Sequence, residues 1–342
     1  METVKERYDA LDGLRAISCL GIIAMHIQAN AEFRMAPAAE TVVKSWTHFV
    51  PLFLMLSGFG MFCGYYEKVK SGTVDLNRFY TRRYKKLLPF FITLILIDLV
   101  LDRSLAHLIE GLTEATLVFG LLPNNQPDVI GVSWTLGVIF LFYMLFPFVV
   151  YLCWSKRRAV FSFLSAIVLS LFCSFYFFPE KFVIAGFASR HSFLFCAPWI
   201  LGGGLVYLFR ESIKPFVARH RWLWLLGCCG LSVAWYSVPV SNDGFSMLKD
   251  LLLFLPWLIY AISTDSPLLH NHVTHYISGI SLELYQAQMV VFRALEKLHV
   301  LYLLGHGWLG FTAVWLAVVA GLILFIELWK RLWGLVQKRL CA

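Results

Sequence analysis

The chain has 342 residues, of which 59% are hydrophobic and only 15% are charged. A soluble domain usually carries about a quarter charged residues, so this composition excludes an ordinary soluble protein and indicates an integral membrane protein. A net charge of +8 at pH 7 suits either nucleic acid or a membrane surface. Because the Lys and Arg residues lie between apolar runs, we expect contact with membrane lipid and no nucleic-acid partner.

Ten apolar runs approach the length of about 20 residues that a membrane-spanning helix needs. The predicted spans cover residues 12–29, 48–66, 88–102, 133–153, 159–178, 192–209, 222–239, 247–263, 275–292 and 308–330. We therefore expect an all-α, polytopic bundle of about ten transmembrane helices. Residues 1–342 would form a single domain with no appended soluble domain.

The positive residues between the predicted spans indicate the orientation of the bundle. Placing the N-terminus inside puts most of the 29 Lys and Arg residues in cytoplasmic segments, as the positive-inside rule requires. Both termini are then cytoplasmic. We expect a multi-pass protein of the cell membrane, as in a bacterial inner membrane, and leave open whether it forms a homodimer.

The first predicted helix carries two ionisable residues, Arg15 and His26. Their spacing of eleven residues corresponds to nearly three helical turns and about 16 Å along the axis, so they share one face. We expect that face to line a path from the cytoplasmic end toward the outer half of the membrane. A histidine there can take a proton from a hydroxyl, as acyl transfer requires. A satisfied core histidine and a snorkelling surface arginine are the alternatives.

Further polar residues occur on the third and ninth predicted helices. Asp98 and Asp102 would lie at a depth similar to that of His26, where Asp98 would orient the imidazole; an outer boundary pair facing water is the alternative. Glu283 and Gln288 lie within the ninth helix. A carboxylate at that depth must be paired, protonated or exposed to a water-filled cavity.

The connection over residues 67–87 holds the strongest basic cluster of the chain. We expect its members to bind the phosphates of a nucleotide-like donor, because a guanidinium fork suits phosphate oxygens. An alternative role is to fix the topology or to hold anionic lipid. The candidate phosphate ligands are Arg78, Arg82, Arg83 and Lys86.

One feature of the sequence invites a metal site. His270, His272 and His275 lie close together in the chain, but no acidic or cysteine partner is adjacent to them. The cysteines lie mostly within apolar runs and show no CxxC spacing. We therefore expect no metal.

Five segments, in order, resemble motifs of the acyltransferase 3 family of membrane acyltransferases. They are YDALDGLRAISCLGIIAMH, which contains Arg15 and His26, then PLFLMLSGFGMF, RFYTRRYKKLLP, VSWTLGVIFLFYMLFP and ISGISLELYQAQ. Many members have a glutamate pair where this chain has Ile139 and Phe140, and a histidine where it has Gln288. His26 is therefore the strongest candidate for the catalytic base.

The resemblance implies transfer of an acyl group, commonly acetyl, from cytoplasmic acyl-CoA to a hydroxyl of a glycan or lipid-linked sugar. Arg15, His26 and Asp98 are the catalytic candidates, and acyl-CoA, in the common case acetyl-CoA, is the expected donor. The residues expected to contact substrate are Ser57, Trp134, Glu283 and Gln288. A transporter or flippase without chemistry and an inactive relative remain alternatives, because polar residues in a bundle also describe a substrate pathway.

Overall fold

The computed structural model describes residues 8–121, 127–177, 189–237 and 245–340. Within these ranges the regular structure is helical and contains no strand, which confirms the all-α prediction. The α-helices are α1 (Ala10–Asn30), α2 (Pro37–Ser45), α3 (Phe49–Lys70), α4 (Leu76–Leu101), α5 (Leu105–Ala115), α6 (Trp134–Leu152), α7 (Lys156–Phe172), α8 (Phe193–Arg219), α9 (Arg221–Ser237), α10 (Ser246–Ser263), α11 (His272–Gly279), α12 (Ser281–Lys297) and α13 (Trp308–Leu340).

Seven helical stretches of the described chain are long and apolar enough to cross a membrane. They comprise α1, the continuous stretch from α2 to α3, and helices α6, α7, α8, α10 and α13. The other three predicted spans correspond to α4, which carries Lys85, Lys86 and Asp98, and to α9 and α12, which have 17 residues each. The count of ten spans therefore stays a prediction.

The outward faces of α7 and α9 are strongly apolar. Phe161 is 73% exposed and Val168 is 64% exposed on α7, and Trp222 and Leu226 are 69% and 70% exposed on α9. A soluble protein rarely leaves such contiguous apolar surface in water. These faces are suited to contact with acyl chains, in agreement with a membrane protein.

Close packing of α3 against α8 depends on glycine. A Cβ atom on Gly58 would collide with the carbonyl oxygen of Ile200, and one on Gly203 would collide with the carbonyl oxygen of Met55. Small residues at such positions allow two helix backbones to approach closely within a membrane. The crossing fixes α3 as a wall of the central cavity described below.

Helix α4 begins twelve residues earlier than predicted, at Leu76 instead of residue 88. The side chain of Asp75 accepts a hydrogen bond from the backbone N–H of Arg78 at 2.9 Å and caps the helix. Pro89 lies inside α4. The basic segment is thus helical, and its side chains point to different sides according to the helical repeat.

The predicted span 275–292 is not one continuous helix, because the helical conformation is interrupted between α11 and α12. Ile280 leaves the helical conformation with φ −116° and ψ 11°. The Asn271 side chain and Thr274 form a capping box that starts α11. The break separates Ser278 on α11 from Ser281 on α12, and both residues line the cavity.

Helix α5, which lies in a predicted connection, holds the segment before α6. The carboxylate of Glu110 accepts hydrogen bonds from the backbone N–H groups of Asp128 and Val129. Glu114, which is 1% exposed, accepts a hydrogen bond from the N–H of Ile130 at 3.3 Å. The side chains of Glu110 and Glu114 thus satisfy backbone donors of a segment that forms no ladder of its own.

The bundle has two distinguishable ends. The basic end contains the starts of α1 and α4 and the junction of α6 with α7, where the Tyr66 hydroxyl donates to the carbonyl oxygen of Cys153 at 3.0 Å. The opposite end contains the last turn of α1 and the segment before α13. There the N–H of Arg34 donates to the carbonyl oxygen of His306 at 2.7 Å.

Candidate active site

A cavity of about 280 Å³ lies among α1, α3, α4, α6, α11 and α12. Its wall on α3 extends from Val50 to Met61. Eleven helical steps correspond to about 16 Å along the axis, so the cavity runs lengthwise through the bundle. Ser57, predicted to contact substrate, lies in this wall.

Three cationic side chains face the cavity near the basic end, namely Arg15, Arg83 and Lys86. Arg15 and Arg83 are both close enough to Lys86 for their charges to interact, and so is Glu283. Arg15 also lies 3.8 Å from a carboxylate oxygen of Asp12. The cavity is therefore electropositive at this end and suited to an anion.

Aromatic rings fix the Arg83 guanidinium. Its central carbon lies 5.0 Å from the ring centroid of Tyr65, 5.3 Å from that of Phe79 and 4.8 Å from that of Tyr143. Within the described ranges, the buried Nε atom of Arg83 has no hydrogen-bond partner. Buried polar groups are normally hydrogen-bonded, so this donor remains available for a bound anion.

The predicted phosphate ligands separate onto two faces of α4. Arg83 and Lys86 are three residues apart, which places both on the cavity side. Arg78 and Arg82 are exposed and do not belong to the cavity wall. Consecutive residues such as Arg82 and Arg83 point about 100° apart on a helix, so only Arg83 and Lys86 of the four line the cavity, and phosphate binding by the four stays a prediction.

Asp12 organises the basic end of α1 and is a residue that the sequence analysis did not assign. It accepts a hydrogen bond from the Ser278 hydroxyl at 2.6 Å, and its other oxygen lies 2.8 Å from Nδ1 of His275. His270 lies 3.9 Å from Asp9. No three His, Cys, Asp or Glu side chains of the described chain come together as metal ligands.

The polar residues of α12 take different positions around the cavity. Gln286 lies in the wall, and within the described residues its buried Nε2 atom has no hydrogen-bond partner. Gln288 is 1% exposed and donates from Nε2 to the carbonyl oxygen of Tyr285 at 2.9 Å, but it does not line the cavity. Glu283 lies outside the wall and interacts electrostatically with Lys86 and Cys19.

His26 lies toward the opposite end and is half-buried. Its ring makes no hydrogen bond within the described part of the chain, and Arg190 is close enough for their charges to interact. The cavity wall includes Arg15 but not His26, so the path that the two residues were expected to share stays a prediction. Helical spacing sets a side chain's direction on α1, but the cavity's extent depends on the neighbouring helices.

Trp134 is the first residue of α6 and lies beside Arg190, the residue whose charge interacts with His26. Its ring stacks on His191 with centroids 4.9 Å apart, and the Arg190 guanidinium carbon lies 5.8 Å from its centroid. Thr135 follows in the chain and lines the cavity, as does Tyr285, which interacts electrostatically with Arg190. The group of Trp134, His191 and Arg190 therefore adjoins the cavity.

Asp98 has a different partner from the one predicted. Its Oδ2 atom lies 2.8 Å from Nδ1 of His107 on α5, and Asp102 lies 3.4 Å from Nε2 of the same ring. The hydrogen bond with Asp98 raises the pKa of His107 above its ordinary value. The expected orientation of His26 by Asp98 is wrong, because Asp98 is hydrogen-bonded to the imidazole of His107 on α5.

A model of the acyltransferase 3 family, described as an acyltransferase domain, matches residues 8–329 of this chain. No curated protein and no solved structure matches it. The match includes the three cationic residues of the cavity, the group of Trp134, His191 and Arg190, and all five segments that resemble the family's motifs. Because it extends over most of the 342 residues, the protein belongs to the acyltransferase 3 family and is a membrane acyltransferase.

Proposed function

We propose that this protein transfers an acyl group, in the simplest case acetyl, from cytoplasmic acyl-CoA to a hydroxyl of a glycan or lipid-linked sugar. The observation that carries the proposal is the cavity with Arg15, Arg83 and Lys86 at one end. Its wall also includes Tyr285, which like His26 is close enough to Arg190 for an electrostatic interaction. In this proposal all ten predicted helices span a cell membrane, as in a bacterial inner membrane. The basic end and both termini face the cytoplasm, in accordance with the positive-inside rule.

The basic end of the cavity suits the phosphates of coenzyme A. Arg83 and Lys86 offer charge-assisted hydrogen bonds, and the free Nε donor of Arg83 points to an anionic ligand. The pantetheine arm would extend along the cavity, past Arg15 and Ser57. Gln286 offers an unpaired amide donor to the polar groups of that arm.

The chemistry would occur where the cavity adjoins His26. His26 accepts the proton of the acceptor hydroxyl, and the oxygen forms a bond to the thioester carbonyl carbon. The carbon–sulfur bond breaks, and the coenzyme A thiolate leaves and takes up the proton. The Tyr285 hydroxyl, in the cavity wall, would stabilise the carbonyl oxygen as it gains charge, whereas the Thr135 hydroxyl donates to the carbonyl oxygen of Val132. Direct transfer and a transient acyl group on His26 both use these residues.

Mass spectrometry of surface glycans from cells with and without the gene tests the reaction. We expect glycans from the complemented strain to gain the mass of one acyl group, and His26→Ala to abolish this gain. Asp98→Asn is the matched control, because Asp98 is bound to His107 and should leave the gain unchanged. Acceptor movement without acyl-CoA consumption would instead support a transporter.

A further inference from the structure

Arg190 is an exposed cation beside the proposed acceptor position, and the sequence analysis gave it no role. It interacts electrostatically with His26, His191 and Tyr285. Among the described residues, no carboxylate lies within ion-pair distance of its guanidinium. An unneutralised positive charge attracts an anionic ligand.

The surroundings of Arg190 hold it in place. Its carbonyl oxygen accepts a hydrogen bond from the Sγ–H of Cys196 at 3.1 Å, which ties its backbone to the first turn of α8. Its guanidinium lies over the ring of Trp134, which is 8% exposed and stacked on the buried ring of His191. Because these contacts restrict the side chain, less conformational entropy is lost when it binds an anion.

The remaining titratable groups near Arg190 are uncharged or cationic. His26 and Tyr285 come from α1 and α12, and His191 comes from the turn that precedes α8. None of these supplies the negative charge that would neutralise a guanidinium. A planar guanidinium binds carboxylate or phosphate oxygens in a bidentate manner, with defined orientation as well as energy.

We propose that Arg190 determines acceptor specificity by binding a carboxylate or phosphate of the acceptor, close to the hydroxyl that is acylated. This inference rests on the proposed acyl transfer and narrows its acceptor to an anionic saccharide. Arg190 would hold the anionic group while His26 reaches a neighbouring hydroxyl. Correct orientation of a bound hydroxyl contributes strongly to transfer rates.

The test compares matched acceptors that differ only in charge. Purified protein in nanodiscs receives acetyl-CoA and either a glucuronate-containing tetrasaccharide or its carboxyl-reduced form. We expect at least about tenfold higher kcat/KM with the uronate, since a charge-assisted bidentate pair is among the strong hydrogen bonds. Glucose 1-phosphate and methyl glucoside form a second matched pair, which distinguishes a phosphate preference from a carboxylate preference.

Variants of Arg190 separate specificity from a structural role. Arg190→Met should lower kcat/KM for the preferred anionic acceptor about 10- to 100-fold, mostly through KM, and change the neutral acceptor less than about twofold. Arg190→Lys should recover part of the loss, because it restores the charge but not the fork. Arg293→Met is the control, since Arg293 already pairs with Glu296 at 2.6 Å.

Equal turnover of charged and neutral acceptors by the wild type would overturn the inference, as would an equal loss of both in Arg190→Met. If no acceptor is acylated, the proposed function fails. The role of Arg190 is then tested by measuring acceptor binding alone. Equilibrium dialysis with the labelled tetrasaccharide should then show binding that Arg190→Met loses and His26→Ala retains. Absence of any such binding would overturn the inference as well.

Discussion

Adjacent arginines on α4 allow a sharp test of the donor site. Arg83 faces the cavity, whereas Arg82 is exposed outside it. Methionine in place of either residue keeps an apolar stem and removes the charge. A charged hydrogen bond contributes about 1.5–3 kcal/mol, and about 1.4 kcal/mol corresponds to a tenfold change. We therefore expect Arg83→Met to raise the KM for acetyl-CoA about 10- to 100-fold and Arg82→Met to change it less than about twofold.

The assay must separate donor binding from folding. Arg83 lies against three aromatic rings, and each cation–π contact contributes about 0.5–1 kcal/mol at an exposed site. Some loss of thermal stability is therefore expected in Arg83→Met. S-acetylpantetheine, which lacks the nucleotide phosphates, serves as a second donor in the same acyl-transfer assay. Its KM should be the same for Arg83→Met and the wild type.

Two results would refute the assignment of Arg83 to the donor phosphates. One is a larger rise in the KM for acetyl-CoA in Arg82→Met than in Arg83→Met. The other is an equal rise for both donors in Arg83→Met, which would indicate a general disturbance of the cavity. Arg83→Lys should have an intermediate KM if charge is what the donor requires.

Three further predictions concern the base, the packing and the pH dependence of stability. His26→Ala should lower kcat at least about 100-fold in the glycan acylation assay without affecting membrane insertion, and wild-type turnover would remove His26 from the mechanism. Gly203→Leu should lower the unfolding temperature, since overpacking costs about 1–3 kcal/mol, whereas Gly64→Ala, with no atom within 4 Å of its added Cβ, should not. Burial raises the pKa of the Glu114 carboxyl from 4.5 to about 8. The folded state thus holds a proton that the unfolded state releases, so stability is highest below about pH 4.5 and falls as the pH rises to about 8. Glu114→Gln should flatten this decline in thermal unfolding followed over pH, and an unchanged slope would contradict it.

Much of the helical architecture follows from apolar length alone. The ranges of α1, α6 and α10 agree with the predicted spans to within two residues, because charged or polar residues bound each apolar run. The start of α4 could not be predicted from apolar length, because its first turns are basic. Only the capping residue Asp75 marks where the helix begins. The interruption at Ile280 did not follow from apolar length either. The segment contains no proline, and Gly279 falls inside the predicted span 275–292.

The candidate site was predictable as a set of residue types but not as a set of contacts. Intramembrane charge identified Arg15, and the basic cluster identified Arg83 and Lys86. The same reasoning misassigned Asp98, because its partner His107 lies on a helix that carries little apolar signal. Tyr143 was only part of a motif in the sequence, yet its ring packs against the Arg83 guanidinium at 4.8 Å.

The arrangement of the two ends supports the proposal that the transferred acyl group is short. Arg15 and His26 lie on the uninterrupted helix α1, so helix geometry fixes their separation at about 16 Å. In the proposed function, a donor anchored by its phosphates at the basic end would deliver its thioester at a depth set by the pantetheine arm. The cavity of about 280 Å³ must hold that arm, and its wall beyond includes Thr135 and Tyr285. Each added methylene of a longer acyl chain would need volume in a closely packed bundle, which resists expansion. An acetyl group needs the least additional volume and leaves the acceptor access to the carbonyl carbon.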